Sequence, residues 1–365
     1  MTTAVAAAVE SLDVAAYTIP TDEPESDGTL EWDSSTIVVV EAHGGGETGL
    51  GYTYCDAAAG KLVESKLADV VRGSDAADVR ATWGRMSAAL RNVGRPGLGF
   101  MALSAVDTAL WDLHARCLGV SLAEVLGVVH ETVPVYGSGG FTSYTLDRVR
   151  EQLGGWVEEG IPRVKLKVGR DPDADPARLD AAREAVGADT ELFVDANGAY
   201  SRKQALAWAE RYASQWGVTW FEEPVSSEDV EGLRLLRDEG PPGLDIAAGE
   251  YGDVPVSFRR LLGAVDCLQA DVTRCGGYTG LLLVAGLCES AGIDLSGHCA
   301  PQLSAHGLAA VTRLRHLEWF HDHVRLESML FDGVLEPVGG ELRPDRSRPG
   351  NGLELKRKEA DRWAA

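Results

Sequence analysis

Two lysines stand one residue apart in the segment VKLKVG, at positions Lys165 and Lys167. If the segment forms a strand, both side chains point to the same face, and each ammonium group lowers the pKa of the other. One interpretation is a solvated edge strand, where lysine is common. The other is a site that binds an anion beside a lysine that can accept a proton.

Charged residues also end most of the other short apolar segments in this part of the chain. Taken singly, a carboxylate at a strand end is more often a helix cap, and a single histidine is more often structural. In a closed barrel of parallel strands, however, these ends converge on one mouth. The residues are Asp195 in FVDANG, Glu222 and Glu223 in WFEEP, Glu250 in AAGE, Asp271 in LQADV, His298 in SGHC and Glu318 in HLEWF.

Asp195, Glu222 and Glu250 end three successive segments, so a barrel would bring three carboxylates together. Such charges repel strongly unless a cation lies between them. Ligands that are all oxygen favour a hard cation, and Mg²⁺ leaves positions open for water or substrate. No histidine or cysteine joins the three, which argues against a redox metal. We expect Glu223 to lie outside this group, either behind it or as an ion-pair or cap partner, because adjacent strand residues face opposite sides.

The alternation of elements predicts a barrel for the middle of the chain. From position 133 onward, eight short apolar segments alternate with helical patterns such as SRKQALAWAERYASQWG. Apolar strands separated by helices are typical of parallel βα units, and eight such units favour a closed (β/α) barrel. An open doubly wound sheet is the alternative, but no GxGxxG motif follows the first strand.

The regions on either side of the barrel differ in character. The first third combines strand-like TIVVVEAHG with helices, of which GFMALSAVDTALWDLHARCLG is the clearest, and is therefore α+β. The acidic segment PTDEPESDGTLEW, rich in proline and glycine, predicts a mobile loop. We therefore predict an α+β domain at 1–130, the barrel at 131–330, and a tail at 331–365 that returns to cover the first domain.

Composition argues against several classes of function. The formal net charge of the 365 residues is −22, which argues against a nucleic-acid partner and against adhesion to anionic membranes. No apolar stretch approaches the roughly 20 residues of a membrane span, and the N-terminus lacks the basic start of a signal peptide. Six scattered cysteines without CxxC pairs fit a reducing compartment. We therefore expect a soluble cytoplasmic protein.

The ordered set of KxK, three carboxylates, and then an aspartate and a histidine resembles the enolase superfamily, most closely its mandelate racemase subgroup. The helix SAVDTALWDLHAR extends the likeness over nearly the whole chain. The muconate-cycloisomerase-like subgroup fits less well, because it has a lysine in place of the Asp271 and His298 pair. The resemblance implies a modified (β/α)7β barrel with an N-terminal α+β capping domain, and a homo-oligomer.

The resemblance also implies roles for individual residues. Asp195, Glu222 and Glu250 would bind Mg²⁺, and Lys167 and His298 would be two bases on opposite faces of the substrate. Asp271 would orient His298. Lys165 would hold the substrate carboxylate and lower the pKa of Lys167. Glu318 would hydrogen-bond a substrate carboxylate oxygen, and Asn197 would line the metal site beside the substrate.

A site of this kind removes a proton α to a carboxylate and stabilises the resulting enediolate. The expected reaction is dehydration of an acid sugar to a 2-keto-3-deoxy acid, because the candidate lid at 16–32 has five carboxylates and few large apolar groups. If that segment is only a solvated loop, it says nothing about the substrate. The alternatives are racemisation or epimerisation of a 2-hydroxy acid, and cycloisomerisation of a sugar-acid lactone or anhydro sugar acid.

Two readings from other classes are weaker. A catalytically inactive barrel that binds a sugar acid or acts as a scaffold would need neither Lys167 nor His298. A different metal-dependent barrel enzyme, such as an aldolase or a hydrolase, would need a Schiff-base lysine without a close lysine partner, or histidine-rich metal ligands. Neither pattern is present.

Overall fold

The computed structural model describes residues 7–365, and the first part of it is a three-stranded antiparallel sheet covered by helices. The strands are β1 (Val9–Ser26), β2 (Glu31–Gly44) and β3 (Glu47–Tyr54). The β-branched run in β2 is buried on both faces, since Ile37 enters the core shared with the barrel and Val38 enters the core under the helices. The helices are Ala58–Leu62, Ala68–Val71, Val79–Ala89, Leu98–Leu118 and Leu122–Leu126, with a π-helical turn at Val63–Leu67.

The acidic segment before β2 is not the loop that its composition predicted. It continues β1 as far as Ser26 and pairs with β2, so the end of β1 and the start of β2 form a hairpin. The hairpin lies on the barrel, where Ser26 Oγ is 2.6 Å from Thr142 Oγ1 and the His321 ring is 3.0 Å from Asp22. Its polar groups are satisfied by residues distant in the chain, which local composition cannot reveal.

Eight parallel strands form a closed barrel in chain order, and the last strand pairs with the first. They are β4 (Val133–Gly139), β5 (Arg163–Lys167), β6 (Glu191–Asp195), β7 (Val218–Glu222), β8 (Asp245–Ala248), β9 (Cys267–Ala270), β10 (Asp294–Gly297) and β11 (Leu314–Phe320). The connecting helices are Leu146–Glu158, Asp175–Val186, Arg202–Trp216, Val230–Glu239, Pro255–Leu261, Gly277–Ala291 and Pro301–Leu308, and His321–Leu330 follows β11. The predicted (β/α)7β barrel with an N-terminal capping domain is confirmed.

The register of neighbouring strands places the charged residues at one level. Lys167 is paired with Asp195, and Asp195 is paired with Glu222. Because alternate side chains of a barrel strand point inward, these three enter the barrel together at its C-terminal end. A separate cluster of buried side chains fills the interior nearer the other end: Tyr136, Phe193, Trp220, Ala247 and Cys267.

The long helix Leu98–Leu118 packs closely on β3. A Cβ at Gly49 would lie 2.2 Å from the carbonyl oxygen of Ala109, so the strand can approach the helix only because glycine has no side chain there. The same helix reaches the barrel through buried Asp107, which accepts hydrogen bonds from the backbone and hydroxyl of Thr279 at 3.0 and 2.7 Å. The apolar helix predicted from sequence therefore also connects the N-terminal domain to the barrel.

The chain after the barrel contacts both parts. On the N-terminal domain, Asn351 Nδ2 donates to the carbonyl oxygen of Leu50 at 2.9 Å and the Arg357 guanidinium pairs with Glu41 at 2.5 Å. On the barrel, Leu342 pairs with Val133 of β4. Its elements are the short strands Phe331–Asp332, Glu341–Leu342 and Glu354–Leu355, the helix Arg357–Ala360 and the 3₁₀ turn Asp361–Trp363. Within residues 7–365, the helices lack the combination of length and apolar character that a bilayer crossing requires.

A buried carboxyl between the capping domain and the barrel predicts how stability depends on pH. Glu327 accepts a 2.5 Å hydrogen bond from Tyr52, and burial raises the pKa of Glu327 from 4.5 to about 8. Because the folded state keeps this proton where the unfolded chain ionises, the stabilisation is complete below pH 4.5 and is lost as pH rises through about 8.

Between pH 4.5 and about 8, we therefore expect the free energy of unfolding to fall less in Glu327→Gln than in the wild type. The two values should diverge by about 1 kcal/mol for each pH unit. Urea unfolding at a series of pH values measures this difference. Exposed Glu359→Gln is the matched control and should follow the wild type. Parallel curves for the wild type and Glu327→Gln would show that the Glu327 carboxyl does not retain its proton.

Candidate active site

Three carboxylates meet at the C-terminal end of the barrel. Asp195 ends β6, Glu222 ends β7, and Glu250 lies two residues after β8. All three are buried, and each offers an oxygen within 4.8 Å of the oxygens offered by the other two. The structure therefore brings together the residues that the sequence predicted as metal ligands.

Both lysines of VKLKVG point into this group, so the interpretation as a solvated edge strand is wrong. Lys165 Nζ is fully buried and lies 2.7 Å from Glu222, 2.7 Å from Glu318 and 3.2 Å from Asp195. Lys167 Nζ donates to Asp195 at 2.6 Å and to Asn197 Oδ1 at 3.1 Å. The ammonium groups thus balance part of the carboxylate charge.

The charges around Lys167 change its expected proton affinity. Burial acts to lower the pKa of Lys167, but Asp195, Glu250 and Glu222 together outweigh burial, and the pKa is raised above its ordinary value. Lys165 does lower the pKa of Lys167, as predicted, yet the effect is smaller than that of Asp195. A neutral Lys167 therefore requires that the carboxylate charge be shared with another cation.

An imidazole lies across the site from the lysines' strand, at the end of β10. His298 Nδ1 donates to Asp271 at 2.9 Å, and Asp271 also accepts hydrogen bonds from the backbone and hydroxyl of Thr273, both at 2.7 Å. Burial acts to raise the pKa of Asp271, but its hydrogen bond with His298 and the Arg274 charge lower it overall. Because Nδ1 is occupied, Nε2 is the nitrogen available for chemistry, and it lies 3.2 Å from Glu250.

The acidic groups around His298 also affect its protonation. Burial acts to lower the pKa of His298, but Cys299, Glu250 and Glu318 outweigh burial and raise the pKa well above its ordinary value. An imidazole in this setting favours the protonated form, so it can donate a proton from Nε2.

The capping domain and the barrel enclose a cavity of about 450 Å³ above these groups. Lys167, Asn197, Glu250, His298 and Glu318 line it, whereas Lys165 lies beneath the surface. Asp27, Leu30 and Trp32 of the candidate lid also line it. Residues that sequence reasoning did not assign to the site complete the lining: Ser34 from the hairpin, Tyr54 and Cys55 after it, and Tyr251, Arg274, Cys299 and His323 from the barrel. The adjacent motifs GHCAP and DVTR were the only sequence signals for Cys299 and Arg274.

The residues present suit a divalent hard cation. Asp195, Glu222 and Glu250 supply only oxygen donors, which Mg²⁺ prefers. Glu223 Oε1 is buried with no hydrogen bond from the described residues, and the neighbouring Glu250 Oε2 faces the His298 ring at 3.2 Å. Burial, followed by the Glu250 charge, raises the pKa of Glu223 well above its ordinary value. The lysines and His298 balance only part of the charge of these buried carboxylates, so a cation bound among them would be stabilised.

Two family models together match most of the chain. The mandelate racemase / muconate lactonizing enzyme N-terminal domain matches residues 7–127, and the enolase C-terminal domain-like model matches residues 148–360.

Curated relatives match at about one third identity. The chain is 34% identical to L-talarate/galactarate dehydratase of Salmonella typhimurium over 333 residues, covering 87% of this chain and 79% of that protein. It is 30% identical to D-galactarolactone cycloisomerase of Agrobacterium fabrum over 357 residues, covering 92% and 93%.

Solved structures share the whole architecture. A mandelate racemase/muconate lactonizing enzyme-like protein from Rubrobacter xylanophilus is 64% identical, with a TM-score of 0.97 over 98% of this chain and 100% of that one. A racemase from Streptomyces coelicolor with bound magnesium is 30% identical, with a TM-score of 0.91 over 98% and 100%. L-talarate dehydratase from Polaromonas sp. JS666, complexed with Mg and L-glucarate, is 30% identical, with a TM-score of 0.88 over 98% and 98%.

Proposed function

The chain belongs to the mandelate racemase/muconate lactonizing enzyme family of the enolase superfamily, and from this premise we propose that it dehydrates an acid sugar to a 2-keto-3-deoxy acid. The relatives include an acid-sugar dehydratase and a sugar-acid lactone cycloisomerase. The class of reaction is therefore a lyase or isomerase reaction that begins with loss of a proton α to a carboxylate.

One observation carries the proposal: an amine and an imidazole open into the same cavity, with a cluster of carboxylates between the strands that bear them. Lys167 and His298 both line the cavity, and Glu250 lies between their strands in barrel order. A binding protein would have no use for two groups that can exchange protons, whereas proton removal and return at a carbon centre need both.

We propose Mg²⁺ as the cofactor, held by Asp195, Glu222 and Glu250. When bound, Mg²⁺ supplies a positive charge that stabilises the developing negative charge of the substrate carboxylate. Lys165, which contacts both Glu222 and Glu318, keeps two of the carboxylates in position from below. Glu318, when protonated, is proposed to donate a hydrogen bond to the substrate carboxylate from the opposite side, and Asn197 to contact the substrate beside Lys167.

The proposed steps transfer one proton to Lys167 and one from His298, release one water, and end with tautomerisation of an enol. Lys167, once neutral, takes the proton from the carbon next to the carboxylate. Protonated His298 gives its Nε2 proton to the hydroxyl on the β-carbon, the bond from that carbon to oxygen breaks, and water leaves. The enol that remains takes up a proton at the former β-carbon, loses the proton of its hydroxyl, and so becomes the 2-keto-3-deoxy acid. Asp271 holds the imidazole ring in the tautomer that these transfers require.

The cavity lining supports a polyhydroxylated substrate. The hairpin and the residues after it contribute Asp27, Ser34, Ser35 and Thr36 to the wall, and these side chains can hydrogen-bond sugar hydroxyls. Each of these side chains already has a hydrogen bond within the protein, but hydroxyl and carboxylate oxygens can accept further ones. The acidic segment 16–32, predicted as a lid, therefore remains part of the proposed substrate site, where it belongs to the hairpin.

The proposal is tested by incubating the protein with Mg²⁺ and a panel of mono- and diacid sugars, and measuring 2-keto acid formation with parallel polarimetry. We expect 2-keto acid from at least one acid sugar. Loss of optical rotation without 2-keto acid would indicate racemisation or epimerisation instead. Because one relative is a cycloisomerase, lactones and anhydro sugar acids belong in the panel, and ring opening without loss of water would favour that second function.

Three further proposals concern organisation rather than chemistry. We retain the division into parts at 1–130, 131–330 and 331–365, a homo-oligomeric state and a cytoplasmic location. Size-exclusion chromatography with light scattering would test the oligomeric state, and limited proteolysis followed by mass spectrometry would test the boundaries.

A further inference from the structure

We propose that His298, Cys299 and Glu318 form a second metal site in the cavity, one that selects Zn²⁺ and similar thiophilic cations over Mg²⁺. His298 Nε2 is 3.3 Å from Cys299 Sγ and 3.4 Å from Glu318 Oε2, and Cys299 Sγ is 3.2 Å from Glu318 Oε2. All three side chains are buried. They offer one nitrogen, one sulfur and one oxygen donor at the corners of a small triangle.

The size of this triangle matches one face of a zinc tetrahedron. Bond lengths of about 2.0 to 2.1 Å to nitrogen and oxygen and about 2.3 Å to sulfur imply donor separations of roughly 3.3 to 3.6 Å. The three observed separations lie within about 0.4 Å of that range. The fourth corner faces the cavity, so a water molecule or a ligand oxygen can complete the coordination, as in catalytic zinc sites.

Neighbouring groups already orient each donor. Asp271 occupies His298 Nδ1 and leaves Nε2 for a metal, and such outer partners strengthen metal sites. Glu318 uses its other oxygen, Oε1, to bind Lys165 at 2.7 Å and Ser138 at 2.6 Å, so Oε2 is left to face the thiol.

The backbone holds Cys299 in an uncommon conformation that presents its thiol to the cavity. Cys299 and Ala300 both have left-handed backbone angles, with φ of 49° and 42°, which cost energy in residues other than glycine. Hydrogen bonds fix this turn: the Ala300 N–H donates to His323 Nδ1 at 3.1 Å, and the Ser304 hydroxyl donates to the Cys299 carbonyl oxygen at 2.8 Å. The thiol position is therefore built into the fold.

The donor types separate this site from the carboxylate cluster. Asp195, Glu222 and Glu250 offer oxygen alone and suit Mg²⁺, whereas thiolate and imidazole favour Zn²⁺. Binding would release both the thiol proton and the Nε2 proton of His298 to solvent, because the metal would take the Nε2 lone pair. Zn²⁺ would therefore block the proton transfers assigned to His298. That consequence rests on the proposed function, but the binding itself does not.

The test measures metal binding in the full chain, with Mg²⁺ present at saturating concentration. Co²⁺ replaces Zn²⁺ as a spectroscopic probe, because a thiolate ligand gives a sulfur-to-cobalt charge-transfer band. We expect one equivalent of Co²⁺ to produce the band, and Zn²⁺ to remove it. Cys55→Ser is the matched control, since Cys55 lines the same cavity outside the cluster, and it should keep the band.

We expect Cys299→Ser and Cys299→Ala to lose the band and to weaken Zn²⁺ binding by roughly 100-fold or more, because loss of even an outer partner costs about 10 to 100-fold. Circular dichroism shows whether each variant is folded, and using two substitutions guards against misfolding of one. A band that persists in both folded variants, or no band in the wild type, overturns the site.

The blocking role has a separate measurement. With an accepted substrate and excess Mg²⁺, Zn²⁺ should inhibit the wild type, and substitution of Cys299 should raise the Zn²⁺ concentration needed for half inhibition by about the same factor as it weakens binding. Inhibition that does not change with Cys299 refutes the blocking role. If no acid sugar is a substrate, the proposed function fails while the cobalt spectrum still decides the metal site.

Discussion

Replacement of Lys167 by alanine or of His298 by asparagine should each lower turnover of the acid-sugar substrate by roughly 10³-fold or more, since a positioned acid or base contributes about 10² to 10⁴. Both groups line the cavity, and Lys167 is the only lysine among the described residues that does so. His323 also lines it, but its Nδ1 accepts a hydrogen bond from the Ala300 N–H and burial lowers its pKa to about 3, so it is a poor replacement for His298. Asparagine keeps the approximate shape of the imidazole near Asp271 but cannot donate or accept the catalytic proton. Steady-state kinetics of the purified variants measures the effect.

The two variants also distinguish which group removes the α-proton. The variant that keeps this group should still exchange the α-hydrogen of the substrate in D₂O, observed by NMR, although it forms no product. Exposed Lys203→Ala and distant His114→Asn are controls of the same residue types and should keep normal turnover. Full turnover in both Lys167→Ala and His298→Asn would refute the scheme with two proton-transfer groups.

Removal of divalent cations should abolish activity, and added Mg²⁺ should restore it. Asp195, Glu222 and Glu250 are buried close together, and burial, followed by the Asp195 charge, raises the pKa of Glu222 to about 8. A cation that binds the folded state should therefore also stabilise it, by about 2.7 kcal/mol at a concentration 100 times Kd. Activity after EDTA treatment and thermal unfolding with and without Mg²⁺ measure both effects.

The carboxylate cluster is tested directly by Asp195→Asn. We expect this variant to lose both the activity and the rise in unfolding temperature with Mg²⁺, because asparagine is a weaker ligand without charge. Exposed Glu231→Gln removes one negative charge elsewhere and should behave as the wild type. Turnover that survives prolonged EDTA treatment, or an Mg²⁺ response that Asp195→Asn retains, would show that the ligand assignment is wrong.

The barrel could be predicted because its signals are local in the sequence. Short apolar strands alternate with helical patterns, and a charged residue ends most of the strands. The pairing of Lys167 with Asp195 and of Asp195 with Glu222 then follows from the geometry of parallel strands. The same geometry could not show that Lys165 is sealed below the cavity, because its depth depends on its contacts with Glu222 and Glu318.

The composition of the hairpin segment led to a wrong prediction of a mobile loop. Its acidic, proline-rich segment looked like a solvated loop, yet Glu25 is fully buried and receives a hydrogen bond from Trp32 at 3.0 Å. Burial raises the pKa of Glu25 to about 9, so the group behaves there as a neutral acid. Its other neighbours, Tyr144 and Asp322, come from distant parts of the chain, and no periodicity or composition of the segment itself contains that information.

The sequence alone determined the order of the strands, the residue types at their ends and the family to which those residues point, because each depends on short spacing along the chain. The tertiary structure decided which charged groups reach the cavity, how strongly neighbouring charges change their proton affinities, and that the Cys299 thiol meets His298 and Glu318. Those properties depend on distances of a few ångströms between residues far apart in sequence, in a medium from which water is excluded. They are set only when the barrel closes and the capping domain covers it.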